Sequence, residues 1–223
     1  MGAFAYPVSL ELRGRRAVVI GDDAVRHGKV EPLLLAGATV VVVAEGPERA
    51  LARFEADPRV FGVQRRRWRP SDLDGAFVCV ATDPDPAART EIHREARDRG
   101  VLVNTVDDIP HCDFAIPAIV RRGDLQVAVS TGGRSPALAR RLREELDERF
   151  GPEWTRAVEV LGEARAETLP LLPDVGDRAR RWQEALDLDE LLTLVRAGDA
   201  GVAKDRLVAR LLAAPRARAE TVA

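Results

Sequence analysis

The first half of the chain alternates short apolar runs with segments in which apolar residues recur every three or four positions. The apolar runs predict buried β-strands, and the periodic segments predict amphipathic helices. Predicted strands cover residues 16–22, 38–44, 60–68, 76–82 and 101–107. Predicted helices cover residues 25–36, 47–56 and 86–99. Strands that are apolar throughout and separated by helices are typical of a parallel sheet covered on both faces, so we expect a doubly wound α/β domain.

The pattern changes after Asp113, where the remaining strand-like stretches become shorter. Residues 114–121 and 124–131 flank an Arg-Gly pair, which is a hairpin signal, and a helix is predicted over 135–150. Four more helices are predicted over residues 154–168, 175–186, 189–197 and 202–213. The sequence therefore predicts three parts. They are a Rossmann-like dinucleotide-binding domain (1–113), a small α/β dimerisation and substrate segment (114–150) and a helical domain (151–223).

The middle segment is too small to bury a core of its own. Its helix carries an apolar stripe of Leu138, Leu142 and Leu146. An isolated hairpin is marginally stable in water, and pairing with a second copy of the chain would cover this stripe. We therefore predict a homodimer.

Composition removes several classes of protein from consideration. A formal net charge of −2 over 223 residues argues against a strongly basic nucleic-acid-binding protein. No apolar run approaches the roughly 20 residues that span a membrane, and the start of the chain lacks the pattern of a signal peptide. Two cysteines, Cys79 and Cys112, without a Cys-x-x-Cys pair argue against a disulfide framework or structural zinc site. We expect a cytoplasmic protein.

The turn after the first strand is where a Gly-x-Gly-x-x-Gly fingerprint would bring the backbone close to a pyrophosphate. Only the first glycine, Gly21, is present, because Asp23 and Arg26 occupy the other two positions. A carboxylate at Asp23 would repel a pyrophosphate, and Arg26 would fill the helix–strand contact. Pro32 is tolerated only in the first turn of a helix, so the helix is expected to begin late, near Glu31.

An acidic residue, Glu45, follows the second strand. In NAD-binding sheets a carboxylate at this position accepts hydrogen bonds from ribose hydroxyls. It could equally cap the next helix, and the sequence leaves both interpretations open. A Rossmann-like domain with an incomplete fingerprint can also be a scaffold only, so this pattern alone does not decide the cofactor.

A second acidic residue, Asp107, lies at the end of the fifth predicted strand. It could act as a general base if partly apolar surroundings raise its pKa toward neutrality, and an exposed carboxylate could also serve metal insertion. The alternative is a capping or turn residue. The neighbouring His111 and Cys112 cannot both chelate from regular backbone, so no dedicated metal site is predicted.

A loop of small residues, Thr131-Gly132-Gly133, precedes the helix over 135–150. Its backbone N–H groups and the helix N-terminus are suited to binding an anion, and Arg134 adds a positive charge. Alternatively, the arginine faces solvent without a ligand. A carboxylate and an anion-binding loop together favour chemistry on a polyanionic small molecule.

Taken with these features, several motifs resemble the precorrin-2 dehydrogenase/sirohydrochlorin ferrochelatase family, the N-terminal module of siroheme synthase in its stand-alone form. The resemblance covers the whole chain. Its most specific pieces are Asn104-Thr105-Val106-Asp107-Asp108, Cys112-Asp113-Phe114-x-x-Pro117 and Ser130-Thr131-Gly132-Gly133-x-Ser135-Pro136.

The resemblance implies NAD-dependent oxidation of precorrin-2 to sirohydrochlorin, with insertion of Fe²⁺ to give siroheme in bifunctional members. Asp107 corresponds to the family's catalytic aspartate. The predicted cofactor contacts are Gly21, Asp23, Ala24, Val25, Glu45, Gly46 and Thr82. The predicted contacts with the tetrapyrrole are Asn104, Thr131, Gly132, Gly133, Arg134 and Ser135. The departure at Asp23 and Arg26, where the family has small residues, puts NAD affinity in question.

Three hypotheses follow. The first is an NAD-dependent dehydrogenase, with or without ferrochelatase activity. The second is a chelatase that has lost the NAD-dependent step, because of Asp23 and Arg26. The third is a non-catalytic tetrapyrrole-binding protein.

Overall fold

The computed structural model describes residues 6–21, 28–46 and 48–213, which form two compact units. The first unit runs through Ile116 and also includes Gly132–Arg134. The second unit contains Pro117–Thr131 and the chain from Ser135 onward. The finer division into three parts stays a prediction.

The first unit is built on a five-stranded parallel sheet, as the apolar runs predict. The strands are β1 (Arg16–Ile20), β2 (Thr39–Ala44), β3 (Val60–Arg65), β4 (Val78–Ala81) and β5 (Leu102–Thr105). Their order is β3-β2-β1-β4-β5, so the chain reverses direction across the sheet at β1. In open α/β sheets a ligand crevice forms at such a switch point, outside the carboxyl ends of the strands. The Rossmann-like fold class is confirmed.

Helices and apolar side chains cover the sheet. The helices of this unit are α1 (Glu31–Leu35), α2 (Glu48–Glu55) and α3 (Pro86–Asp98). One cluster includes Val19, Val40 and Leu51, and the other includes Ile20 and Ile92. The burial of side chains from adjacent strand positions in two different clusters explains why the central strands β1, β2 and β4 are mostly apolar.

Helix α1 begins at Glu31 with Pro32 in its first turn, as the proline predicts. The predicted helical residues 25–27 lie outside the described residues. Two short 3₁₀ turns, Pro70–Leu73 and Ile109–His111, were not predicted. The first explains why β3 ends at Arg65 rather than at residue 68. The Asp72 carboxylate accepts bonds from the Arg66 guanidinium (2.6 and 2.8 Å) and from Arg69 N (2.8 Å), which bend the chain away from the sheet.

The second unit starts with an antiparallel hairpin of β6 (Ala118–Arg122) and β7 (Leu125–Val129). Gly123, with φ +57°, lies in the predicted connection. The helices are α4 (Pro136–Arg149), α5 (Glu153–Thr168), α6 (Val175–Ala185), α7 (Leu188–Ala197) and α8 (Ala200–Leu212). The first hairpin strand begins four residues later than predicted, because the preceding residues belong to the loop after β5.

The apolar stripe of α4 is only partly covered. Leu138 is 49% exposed and Leu142 is 37% exposed, whereas Ala139 is buried. Elsewhere in this unit, Val160, Leu207 and Leu211 are buried among the helices. None of the helices within the described ranges is long and apolar enough to cross a membrane.

Candidate active site

The end of β1 packs closely against the end of β4 only because residue 21 is glycine. Gly21 has φ +106°, a conformation that side-chain-bearing residues rarely adopt. A Cβ atom at this position would lie 2.7 Å from Asp83 N and 2.7 Å from Thr82 Oγ1. The backbone of β1 therefore approaches the end of β4 more closely than any other residue would allow.

Thr82 fixes this close approach from the β4 side. Both its backbone N–H (2.7 Å) and its hydroxyl (3.1 Å) donate to the Ile20 carbonyl oxygen. The residue is buried. Its hydroxyl proton is thus directed to the protein rather than to the crevice, and Thr82 shapes the predicted cofactor site by joining two strand ends.

A cavity of about 150 Å³ opens beside Gly21 at the carboxyl ends of β1 and β2. Its lining includes the predicted Glu45 together with Arg67 and Trp68. Glu45 is exposed, and Gly46 after it is half-buried. A backbone cradle without a Cβ, next to a carboxylate at the end of β2, fits the ribose and pyrophosphate of a dinucleotide. Three predicted cofactor contacts lie outside the described residues, namely Asp23, Ala24 and Val25. Arg26 lies outside them as well.

Asp107 occupies a strained turn directly after β5. The Asp108 N–H donates to the Thr105 carbonyl oxygen (3.2 Å), which closes a four-residue turn. Asp107 has φ +59° and is the only non-glycine residue with a positive φ in the part of the chain that the structure describes. Its side chain is exposed. Strained residues of this kind cluster at functional sites, where surrounding contacts hold them.

The loop after the turn runs along β5, which is an edge strand of the sheet. Two N–H groups of β5 that point away from β4 find side-chain acceptors in this loop. Val103 N donates to Asp113 Oδ2 (3.0 Å), and Thr105 N donates to Cys112 Sγ (3.1 Å). The side-chain amide of the buried Asn104 donates to the Phe114 carbonyl oxygen (2.9 Å). Asn104, a predicted substrate contact, thus uses an amide proton to hold the loop.

The second acid of the turn, Asp108, is held from two sides. Its Oδ2 lies 3.2 Å from Arg89 Nε on α3 and 3.0 Å from His111 Nδ1. His93 packs edge-on against His111 with ring centroids 5.3 Å apart, and burial lowers the pKa of His93. These contacts attach the end of the turn to α3.

The predicted anion loop has the backbone freedom that its glycines imply. Gly132 and Gly133 have φ values of +61° and +79°. A Cβ at Gly133 would lie 2.9 Å from Ile109 Cδ1, just after the Asp107 turn. Arg134 is exposed and makes no ion pair with any described residue.

The two hydroxyls predicted to contact the substrate serve the start of α4. Ser135 N donates to Thr131 Oγ1 (3.0 Å), and Leu138 N donates to Ser135 Oγ (3.2 Å). The second is the N-cap bond of α4, and the first fixes the N-cap residue itself. Among the described residues no group of three or more potential ligands is placed to hold a metal ion.

Sequence reasoning missed the side chains that hold the turn in place, which are those of Arg89, Asp108 and Cys112. The adjacent pair Asp107-Asp108 after β5 was a usable signal, because neighbouring side chains point in different directions. When one carboxylate faces solvent, the other is available to contact the protein. Nothing in the spacing of Cys112 or Arg89 indicates that they contact the turn.

Two family models match adjoining parts of the chain. One, described as putative NAD(P)-binding, matches residues 8–118. The other, described as the central part of a sirohaem biosynthesis protein, matches residues 122–149. They meet close to the boundary between the two compact units.

Curated relatives and a solved structure agree with these models. Siroheme synthase 1 of Serratia proteamaculans is 33% identical over 90% of this chain, and that of Cronobacter sakazakii is 34% identical over 92%. The chain spans only 42% and 43% of the length of those two proteins. The structure of SirC, a precorrin-2 dehydrogenase, superposes with a TM-score of 0.71 at 27% identity, covering 91% of this chain and 98% of SirC. The chain belongs to the family that contains the siroheme synthases and precorrin-2 dehydrogenase.

Proposed function

We propose that this chain oxidises precorrin-2 to sirohydrochlorin with NAD as the electron acceptor. The observation that carries the proposal is the placement of two unusual residues. Gly21 follows β1 and Asp107 follows β5, and only β4 separates these two parallel strands. A dinucleotide cradle and an exposed carboxylate therefore both lie at the carboxyl ends of strands of the same sheet.

The cofactor is held by the end of β1 and the end of β2. The Gly21 backbone takes the pyrophosphate, and the Glu45 carboxylate accepts a hydrogen bond from the ribose 2′-hydroxyl, which favours NAD over NADP. When bound, NAD supplies a hydride acceptor. Asp23 and Arg26 replace two glycines of the fingerprint and weaken binding without removing the cradle.

The substrate is a tetrapyrrole with eight carboxylates, so it needs cationic and N–H donors. Arg134 is exposed and without an ion-pair partner among the described residues, and it adjoins the two left-handed glycines. These residues bind substrate carboxylates. Asn104, Thr131 and Ser135 act on the site indirectly, through the loop and the helix cap that their hydrogen bonds hold.

Asp107 accepts the proton that accompanies hydride loss. Its side chain is exposed, so a bound substrate can reach the carboxylate. The same carboxylate can take pyrrole protons, so insertion of Fe²⁺, as a substrate, is the second candidate activity. The replacements at Asp23 and Arg26 favour a chelatase over a dehydrogenase to the extent that they weaken NAD binding.

We further propose that the chain forms a homodimer through β6, β7 and α4. The observation behind this is the exposure of Leu138 and Leu142 on a helix that packs on a hairpin of only two strands. Sedimentation of the purified chain at micromolar concentration tests the oligomeric state. The cytoplasmic location stays a prediction.

The test of the dehydrogenase is a spectrophotometric assay with precorrin-2 and NAD⁺. We expect sirohydrochlorin to form with the wild type and its rate to fall at least a hundredfold in Asp107→Asn. Asparagine tolerates a positive φ and keeps the shape of the side chain, so NAD⁺ affinity should not change. Absence of turnover at saturating NAD⁺, with iron still inserted into sirohydrochlorin faster than the uncatalysed rate, would instead favour the chelatase.

A further inference from the structure

The thiol of Cys112 contacts both ends of the turn that carries Asp107. Its Sγ accepts a hydrogen bond from Thr105 N (3.1 Å) and lies 3.0 Å from the Thr105 carbonyl oxygen. It lies 3.3 Å from the Asp108 carbonyl oxygen as well. Thr105 and Asp108 are the first and last residues of the turn, so one sulfur atom bridges them.

This sulfur remains a hydrogen-bond donor at neutral pH. Burial raises the pKa of Cys112, with a smaller opposing effect of the bond from Thr105 N. A protonated thiol can donate to a carbonyl oxygen, whereas a thiolate would repel both carbonyls. The same shift makes Cys112 a poor nucleophile, which argues against a covalent role.

The turn needs such contacts because its third residue is strained. A non-glycine residue at φ +59° is less stable than the same residue in an extended or helical conformation, so the turn relaxes unless its ends are fixed. The Asp108 side chain is attached to Arg89 and His111. The Thr105 hydroxyl adds a bond to the His111 carbonyl oxygen (2.8 Å).

We propose that Cys112 is a positioning residue whose thiol joins Thr105 to Asp108 and so holds the Asp107 carboxylate where it meets the substrate. The inference rests on the proposed function of Asp107. It assigns to Cys112 an effect on turnover without contact with substrate or cofactor.

The kinetic test compares three variants in the precorrin-2 assay. Cys112→Ala removes the bridge and is expected to lower kcat about tenfold or more while KM for both substrates stays within about twofold. Cys112→Ser keeps a donor and an acceptor and should retain kcat within about threefold of the wild type. Cys79→Ala is the matched control. It deletes the other thiol of the same unit, which is fully buried in β4 and pairs with Val103, ahead of the turn, and it should leave kcat unchanged.

A second readout does not depend on activity. The Asp108 N–H donates within the turn, so its hydrogen exchange reports directly on turn opening. Exchange should accelerate at least tenfold in Cys112→Ala, recover in Cys112→Ser and stay unchanged in Cys79→Ala. If Cys112→Ala does not fold, Cys112→Val replaces it, because residue 112 has extended backbone angles (φ −122°, ψ 132°) that suit valine.

The outcomes separate this inference from the proposed function. Unchanged exchange at Asp108 in Cys112→Ala, or an equal loss of kcat in Cys112→Ser and Cys112→Ala, overturns the positioning role. Faster exchange in Cys112→Ala together with full activity in Asp107→Asn leaves the sulfur bridge standing and refutes the assignment of Asp107. If the wild type does not turn over precorrin-2, the proposed function fails and the exchange experiment alone decides the bridge.

Discussion

Replacing Gly21 by alanine tests whether the cradle at the end of β1 depends on the missing side chain. Two separate costs are expected. Placing alanine at φ +106° costs roughly 1–2 kcal/mol. Displacing Asp83 N and Thr82 Oγ1, which would both lie 2.7 Å from the new Cβ, costs about 1–3 kcal/mol, since the first of these atoms is backbone. Gly21→Ala should therefore lower the free energy of unfolding by about 2–5 kcal/mol.

Two other glycines of the same unit provide matched controls for this substitution. Gly75 has φ +70° but open space where the methyl group of an alanine would lie, so Gly75→Ala should show the conformational cost alone, about 1–2 kcal/mol. Gly62 lies in β3 without a positive φ and without neighbours within 4 Å of the position of a Cβ. Gly62→Ala should be neutral or stabilising by up to about 1 kcal/mol.

The assay is urea unfolding followed by circular dichroism, with NAD⁺ affinity measured by calorimetry on the same three variants. NAD⁺ affinity should fall only in Gly21→Ala, because the new methyl group pushes the ends of β1 and β4 apart and so displaces the backbone that meets the pyrophosphate. Equal stability and equal NAD⁺ affinity in Gly21→Ala and Gly62→Ala would refute the reasoning.

Three other perturbations give distinct results. Burial tends to raise the pKa of Asp72, but bonds from Arg66 and Arg69 N outweigh this and hold it below its usual value. The stability that results is present above the unfolded pKa of about 3.9 and is lost as pH falls through the lower folded pKa. Asp72→Asn should therefore lower the free energy of unfolding by about 2 kcal/mol at pH 7. In acid titrations this variant should lose stability less steeply below pH 4 than the wild type does. Glu45→Gln should lower the ratio of kcat/KM for NAD⁺ to that for NADP⁺ about tenfold, and an unchanged ratio would remove Glu45 from the ribose site. Arg134→Gln should raise KM for precorrin-2 about tenfold with kcat nearly constant in steady-state kinetics, whereas an unchanged KM would place this guanidinium in solvent.

The sheet could be predicted because the central strands β1, β2 and β4 are buried on both faces and therefore carry unbroken apolar runs. The ends of the strands could not, because burial and bonding to the neighbouring strand continue beyond the last residue of a strand. Thr82 follows β4, yet it is buried and bonded to the Ile20 carbonyl oxygen. The late start of α1 was predictable since Pro32 restricts it locally.

The position of Asp107 at a strand end was also predictable, but its conformation was not. The turn that contains its positive φ is bonded to residues outside it, including Cys112 and Arg89. For the same reason Asn104 and Ser135 carry the motif that identifies the site, while their described side-chain bonds go to the protein itself. A sequence motif shows which residues a site needs. It does not distinguish the residues that contact a ligand from the residues that hold those contacts in position.

The stretch from Cys112 to Phe114 also protects the edge strand β5 against pairing with other chains. By occupying outward N–H groups of β5, it denies that strand to other chains, which would otherwise extend the sheet by intermolecular pairing. Mutations or oxidation that release this stretch would therefore cause aggregation along with inactivity. Some inactive variants of this loop would then be recovered as insoluble protein, and their defect would be mistaken for a general failure to fold.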